Sequence, residues 1–334
     1  VYDSFAYVGG RLATGLRDLT TDLAALDGEG WWAVVVDYEG KVSCARFDQV
    51  RPAPLPPAGP WHGPGARQWR SSLDQAAYER GVQAIREHIR RGEVYQANLT
   101  RVLTAPLPPE ADPLALAHRL AERNPAAYAA VISLPGRAVV SASPELYLSR
   151  DGAVVESRPI KGTGATEADL LDKDYSENVM IVDLVRNDLG RVAAVGSVQV
   201  PALCVPEAYP GSVHLVSTVR ARLDPGKGWP ELFAATFPPG SITGAPKSSA
   251  LRIINELEPE PRGPYCGAVG WVDADRGTAA LAVGIRTFWI SGQEIRFGTG
   301  AGITWGSDPR REWQETELKA SRLIALASRF GGDR

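Results

Sequence analysis

Four carboxylates and a lysine carry the first chemical signal in this chain. Asp174 and Glu177 lie three residues apart at the start of one helix-patterned stretch. Glu312 and Glu315 repeat that spacing in the last such stretch, with Lys319 four residues further on. At i, i+3 and i+7, Glu312, Glu315 and Lys319 share one helix face. Carboxylate oxygens on two facing helices suit Mg²⁺, which takes few protein oxygens and leaves its other positions to water and ligand. Acidic residues in a first helical turn also complement the helix dipole, so spacing leaves both readings open.

Lys161 stands in RPIKGT (158–163), between an apolar Pro-Ile and what reads as a Gly-Thr turn. A lysine held out of water or beside another cation loses proton affinity and becomes a nucleophile or base; a solvated loop lysine is the plain alternative. His214, in VHLVS, has apolar neighbours and reads either as a hydrogen-bonded core histidine or as a functional one. Arg286 ends a strand-like run in GIRT and could clamp a carboxylate with two parallel N–H bonds. FGTGAGI (297–303) and GSITGAPK (240–247) could present backbone N–H groups to an anion. A tight turn and a capped helix start account for them equally well. Neither holds GxGxxG within a βαβ unit, so no dinucleotide site is expected.

The elements that must position these groups mix strands and helices without βαβ alternation. Strands are predicted at 32–38 and 41–47, followed by a Pro/Gly-rich linker at 51–65. A helix capped by Ser72 is predicted over 72–91, with Tyr78, Val82, Ile85 and Ile89 on one face. Further helices are predicted at 113–123, 174–189 (stopping at Gly190), 229–236, 247–257 and 310–330. Strands are predicted at 94–102, 128–134, 138–142, 146–149, 153–157, 266–272, 279–290 and 294–297. This order implies an α+β fold with mainly antiparallel sheets. Residues 1–65 are expected to form a short N-terminal segment adding strands to one body, and 66–334 the catalytic domain.

Composition narrows the classes. The 334 residues are 44% hydrophobic and 22% charged, with a net charge of −3. That gives no global signal for nucleic acid, and any anionic ligand needs a local cluster. Cys44, Cys204 and Cys266 show neither CxxC nor metal spacing, which points to a reducing compartment. No apolar run approaches the ~20 residues of a membrane span, and no signal-peptide pattern opens the chain. The expectation is a cytoplasmic enzyme.

Twelve segments in order then resemble the chorismate-utilising enzyme family: GEVYQANLTR, SPELYL, RPIKGT, ENVMIVDLVRNDLGRV, HLVSTV, FPPGSITGAPK, RIINELEP, RGPYCGAVG, GIRT, GAGI, SDP and EWQETELK. The resemblance runs from Ser72 to Leu326 and implies two large antiparallel sheets packed as a sandwich with outer helices. It implies Mg²⁺ on Glu177 and Glu315, with Asp174 and Glu312 holding its waters. It implies Arg286, Tyr265 and the N–H groups of Gly300 and Gly302 on the pyruvyl carboxylate of chorismate, with Lys319 adding charge and Thr243 in the substrate-binding turn. His214 and Glu145 are implied as proton-handling groups. Gln96 stands where water-adding members carry a lysine base, which disfavours water addition. Lys161 stands where anthranilate synthases typically carry alanine and aminodeoxychorismate synthases carry lysine. The resemblance is therefore nearest to the aminodeoxychorismate synthase branch, with Lys161 as nucleophile and a separate glutamine amidotransferase supplying ammonia, since no GxCxG elbow is present. Two rivals are an anthranilate synthase component I and a non-catalytic chorismate-binding subunit. The tryptophan-pocket motif of longer members is not found before Ser72, and Gly306 stands where an aspartate is common.

Overall fold

A computed structural model describes residues 4–209 and 212–329. In chain order the elements are β1 (Phe5–Val8), β2 (Arg11–Thr20), β3 (Trp31–Val36), β4 (Val42–Pro52), β5 (Arg70–Ser71), α1 (Gln75–Arg90), β6 (Gln96–Pro106) and α2 (Pro113–Arg123). Then come β7 (Tyr128–Leu134), β8 (Arg137–Ser143), β9 (Leu146–Asp151), β10 (Val154–Arg158), β11 (Ile160–Gly164), α3 (Asp172–Gly190), β12 (Gln199–Tyr209) and β13 (Ser212–Arg222). The chain finishes with α4 (Trp229–Thr236), β14 (Gly244–Ala245), α5 (Lys247–Leu257), β15 (Ala268–Asp273), β16 (Thr278–Val283), β17 (Thr287–Ser291), β18 (Glu294–Ile303) and α6 (Pro309–Ala327).

Every ladder is antiparallel, and the pairings form one path in two limbs. The first limb runs β12–β13–β10–β9–β16–β15–β3–β4, with β11 beside β10 on β13. The second runs β1–β7–β8–β17–β18–β6. Strand β2, paired to both β4 and β1, joins them. Side-chain alternation along β7 explains why the limbs stack. Ala130, Ile132 and Leu134 enter the core that holds Val34 and Leu281 of the first limb. Val131 faces the opposite way, into a core with Leu116 and Leu120 of α2 and Leu323 of α6. The fold is the expected α+β arrangement of antiparallel sheets with outer helices.

Tyr78, Val82 and Ile85 of α1 pack with Leu99 and Ile303, as their spacing predicts. The cap is Asp74, which accepts from Ala77 N at 2.7 Å, and not Ser72. Ser72 is instead committed to Val102, through its N–H to the carbonyl at 2.9 Å and its hydroxyl to the N–H at 3.0 Å. The predicted 279–290 strand is two strands, because Arg286 takes φ +50° between them. Phe330, the predicted end of the last helix, lies outside the described residues; α6 ends at Ala327. Strands β1, β2, β12 and β13 were not predicted. β12 carries Pro201 and Pro206 and, among the described residues, pairs only with β13, an edge position where proline is tolerated.

Candidate active site

The two limbs, α3 and α6 enclose a cleft of about 850 Å³, within the size range of small-ligand sites. It brings together Lys161, Glu145, His214, Tyr265, Arg286, Gly300, Gly302, Lys319 and all four carboxylates, Asp174, Glu177, Glu312 and Glu315. Two expected residues do not line it. Thr243 is fully buried, and its hydroxyl donates to the carbonyls of Pro239 (3.1 Å) and Gly240 (3.3 Å). Gln96 is also fully buried, and neither its amide nitrogen nor its oxygen has a hydrogen-bond partner among the described residues.

RPIKGT is a bulged strand and not a turn. β11 pairs with β13, and its register shifts between Lys161 and Thr163. Gly162 takes up the extra residue at φ +74°, where a Cβ would come within 2.8 Å of Asp174 Cβ. Only glycine allows β11 to lie so close to the start of α3. The bulge aims Lys161 into the cleft, where its Nζ donates to Ser241 O at 3.1 Å. Burial lowers the proton affinity of Lys161, against the pull of the Glu177 and Glu145 carboxylates.

Glu145 is only 4% exposed. Burial pushes its carboxyl up to about 7, opposed by the Ser241 hydroxyl and the Lys161 charge. His214 follows a different logic. Its Nδ1 pairs with Thr163 Oγ1 at 2.9 Å and its Nε2 with Ser212 Oγ at 3.1 Å, and Tyr209 packs edge-on against its ring. Burial, then the Arg286 charge, push it down to about 4. It is therefore neutral at pH 7, with both nitrogens engaged, and the residue poised to exchange a proton is Glu145.

FGTGAGI is the second half of β18, not a turn. β17 covers β18 only over Glu294–Phe297, whereas β6 follows it to Ile303. The free edge of the last residues borders the cleft. Gly300 and Gly302 lie opposite Thr100 and Asn98, whose N–H groups turn away from β18 to Glu258 Oε1 and Thr243 O, both at 2.8 Å. These are therefore non-hydrogen-bonded pairs, so the N–H groups of Gly300 and Gly302 also point away from β6, to the open edge. No Cβ fits there. One on Gly298 would lie 2.1 Å from the Tyr265 ring, and one on Gly302 would lie 2.2 Å from Gln96 Nε2.

Arg286 lines the cleft with no carboxylate in ion-pair contact among the described residues; burial and the nearby Arg322 lower its proton affinity. Lys319 donates to Gly300 O at 3.1 Å and pairs with Glu315 at 2.7 Å. Arg286 and the outward N–H groups thus form one wall, a place for an anion, with Lys319 bridging it to Glu315. Carboxylates occupy the other. Burial raises Glu177 and Glu312. It acts to raise Glu315 too, but Lys319, Lys173 and Lys161 together outweigh it and the net shift is downward. Asp174 Oδ2 accepts from Leu171 N at 2.9 Å, capping α3. Among the described residues no three acidic, histidine or cysteine side chains form a closed metal cage. Four carboxylates beside an open cleft fit a hard cation that takes one or two protein oxygens and completes its shell with water and ligand. Sequence reasoning missed Ser241, Asn98 and Arg322 as lining groups. The first two sit inside quoted motifs, but nothing in their type marked them.

The fold and this cleft define a small-molecule site in which donors and cations stand beside a group of carboxylates. A sequence profile of the family described as chorismate binding enzyme matches residues 31–325, and the chain belongs to that family. It is 41% identical to anthranilate synthase component 1 1 of Haloarcula marismortui over 77% of this chain and 54% of that protein. It is 35% identical to aminodeoxychorismate synthase component 1 of Salmonella typhimurium over 88% of this chain and 68% of that one. The crystal structure of anthranilate synthase component I from Streptococcus pneumoniae superposes with a TM-score of 0.80 at 25% identity, covering 96% of this chain and 89% of that one. This chain thus spans about half the length of some curated relatives. No described helix is long and apolar enough to cross a membrane.

Proposed function

We propose that this chain aminates chorismate at C4, giving 4-amino-4-deoxychorismate, the precursor of 4-aminobenzoate, with ammonia supplied by a glutamine amidotransferase partner. The observation that carries the reading is Lys161, aimed into the cleft beside Glu145 with burial lowering its proton affinity. The enolpyruvyl carboxylate of the substrate lies against Arg286, Tyr265 and the N–H groups of Gly300 and Gly302. Bound Mg²⁺, held by Glu177 and Glu315 with Asp174 and Glu312 on its waters, would polarise the ring carboxylate.

The unprotonated Lys161 amine adds at C2, the ring double bonds shift, and the C4–O bond breaks. Glu145 gives the departing hydroxyl its proton, so that it leaves as water. Ammonia then adds at C4, the double bonds shift back, and the C2–N bond breaks to return the Lys161 amine. The proton lost from the new C4 ammonium goes to Glu145. Chorismate plus ammonia becomes aminodeoxychorismate plus water, through two allylic displacements in place of one direct expulsion of hydroxide.

Incubation with chorismate, Mg²⁺ and ammonium tests this. The expected product retains its pyruvyl group and carries an amine at C4. Anthranilate synthesis is the second reading, favoured by the 41% identity to an enzyme of that name. Fluorescent anthranilate with free pyruvate as the sole products would replace the first reading by the second. Intact-mass detection of a Lys161–substrate adduct in the absence of ammonia tests the nucleophile separately.

A further inference from the structure

Beside the cleft lies a second, much smaller chamber of about 20 Å³. Glu145 and Ser241 line both spaces and form the wall between them. The other polar residues of the inner chamber are Ser157, Asp188 and Thr236; the rest of its lining is mostly apolar. Its volume exceeds the 10–15 Å³ or so needed for one water molecule, and its polar lining meets the two to four partners such a water requires.

The far wall carries a charge pair with no part in the chemistry above. Asp188, on α3, is 5% exposed and meets Lys247, the first residue of α5, at 2.5 Å. Lys247 also donates to Thr236 O at 2.9 Å. The Thr236 hydroxyl pairs with Tyr147 OH at 2.6 Å and donates to Leu232 O at 2.7 Å. Removing two charges from water is costly and does not of itself stabilise a fold. Here the pair ends on the chamber that Glu145 closes.

We propose that this chamber holds one water molecule, and that the Asp188–Lys247 pair acts through it as a positioning element for the Glu145 carboxyl. Asp188 lines the same chamber as Glu145, and its negative charge disfavours a second one there. Glu145 meets the charge of Lys161 on β11, which Glu177 reaches from α3; Asp188 on α3, with Lys247 on α5 behind it, and Tyr147 on β9 share the lining of its chamber. The consequence for turnover rests on the reading of Glu145 as proton donor, but the titration itself does not.

The test follows the titration of Glu145 as the pH dependence of the urea midpoint, each protein compared with its own Glu145→Gln partner. Asp188→Asn leaves the Lys247 charge unopposed behind the chamber and lowers the Glu145 midpoint by about one pH unit, the size of a unit charge change about 10 Å away at an effective dielectric of about 20. Lys247→Met removes the cation and does not lower it. An unchanged midpoint in Asp188→Asn, or equal shifts in both variants, overturns the proposal. Ser157→Val changes no charge and excludes the water, so the midpoint rises; if Asp188→Asn does not fold, an unchanged midpoint in Ser157→Val overturns it. All these readouts use the protein without substrate. Failure to aminate chorismate would sink the functional reading and leave this result standing.

Discussion

Replacing Glu145 by glutamine keeps the size of the side chain and removes its titration. The carboxyl is 4% exposed, and burial pushes it from the ordinary 4.5 up to about 7. A carboxylate raised in the folded state binds its proton more tightly there than in the unfolded chain. The contribution of Glu145 to stability is therefore greatest below pH 4.5, falls as pH rises to about 7, and is flat above it. At 1.36 kcal/mol per pH unit, the parent gives up about 3 kcal/mol over that window, and Glu145→Gln does not. Urea denaturation at pH 5, 6, 7 and 8.5 measures the difference. The variant gains on the parent up to pH 7, reaches an advantage of about 3 kcal/mol, and holds it at pH 8.5. Its amination rate falls over the whole range. A stability difference independent of pH would refute the argument that burial holds this proton, and the role of Glu145 as acid would go with it.

Lys161→Ala removes the amine and lowers C4 amination by at least about 100-fold, read by ammonia-dependent product formation; near-parent turnover would exclude Lys161 as nucleophile. Gly302→Ala drives a methyl to 2.2 Å from the buried Gln96 Nε2 and costs about 1–3 kcal/mol by overpacking. Gly190→Ala, with nothing within 4 Å of the added carbon, is neutral or slightly stabilising in the same urea titration. Arg262→Met strands the buried Glu258, which Arg262 meets at 2.7 and 2.8 Å, and costs about 3–5 kcal/mol. Adding Glu258→Gln recovers part of that loss, so the double variant is more stable than the two single losses predict.

Local pattern carried the helices, and most of the residues singled out in the sequence meet in one cleft. Aspartates followed by Pro113 and Pro309 start α2 and α6, and apolar spacing set the buried face of α1. What local pattern could not carry was pairing over long sequence separation. FGTGAGI read equally as an anion-binding nest or a tight turn, because three glycines usually mean one or the other. It is a strand because β6, about two hundred residues earlier, supplies a partner along its whole length. The glycines then have a different cause: Tyr265, Thr100 and Gln96 occupy the space where side chains would go. Lys161 read as a turn residue for the same reason, since the β-bulge that aims it exists only in register with β13.

The separation of the walls has the same origin. β18 outruns β17, which leaves outward N–H groups beside Arg286 on one side. Helices α3 and α6 bring their carboxylates to the other, although Glu177 and Glu315 stand 138 positions apart in the chain. A dianion placed between them meets cations and donors at one end and room for a cation at the other. That polarity comes from strands ending at different lengths, so adding residues to β17 should close the anion wall without touching a single charged side chain.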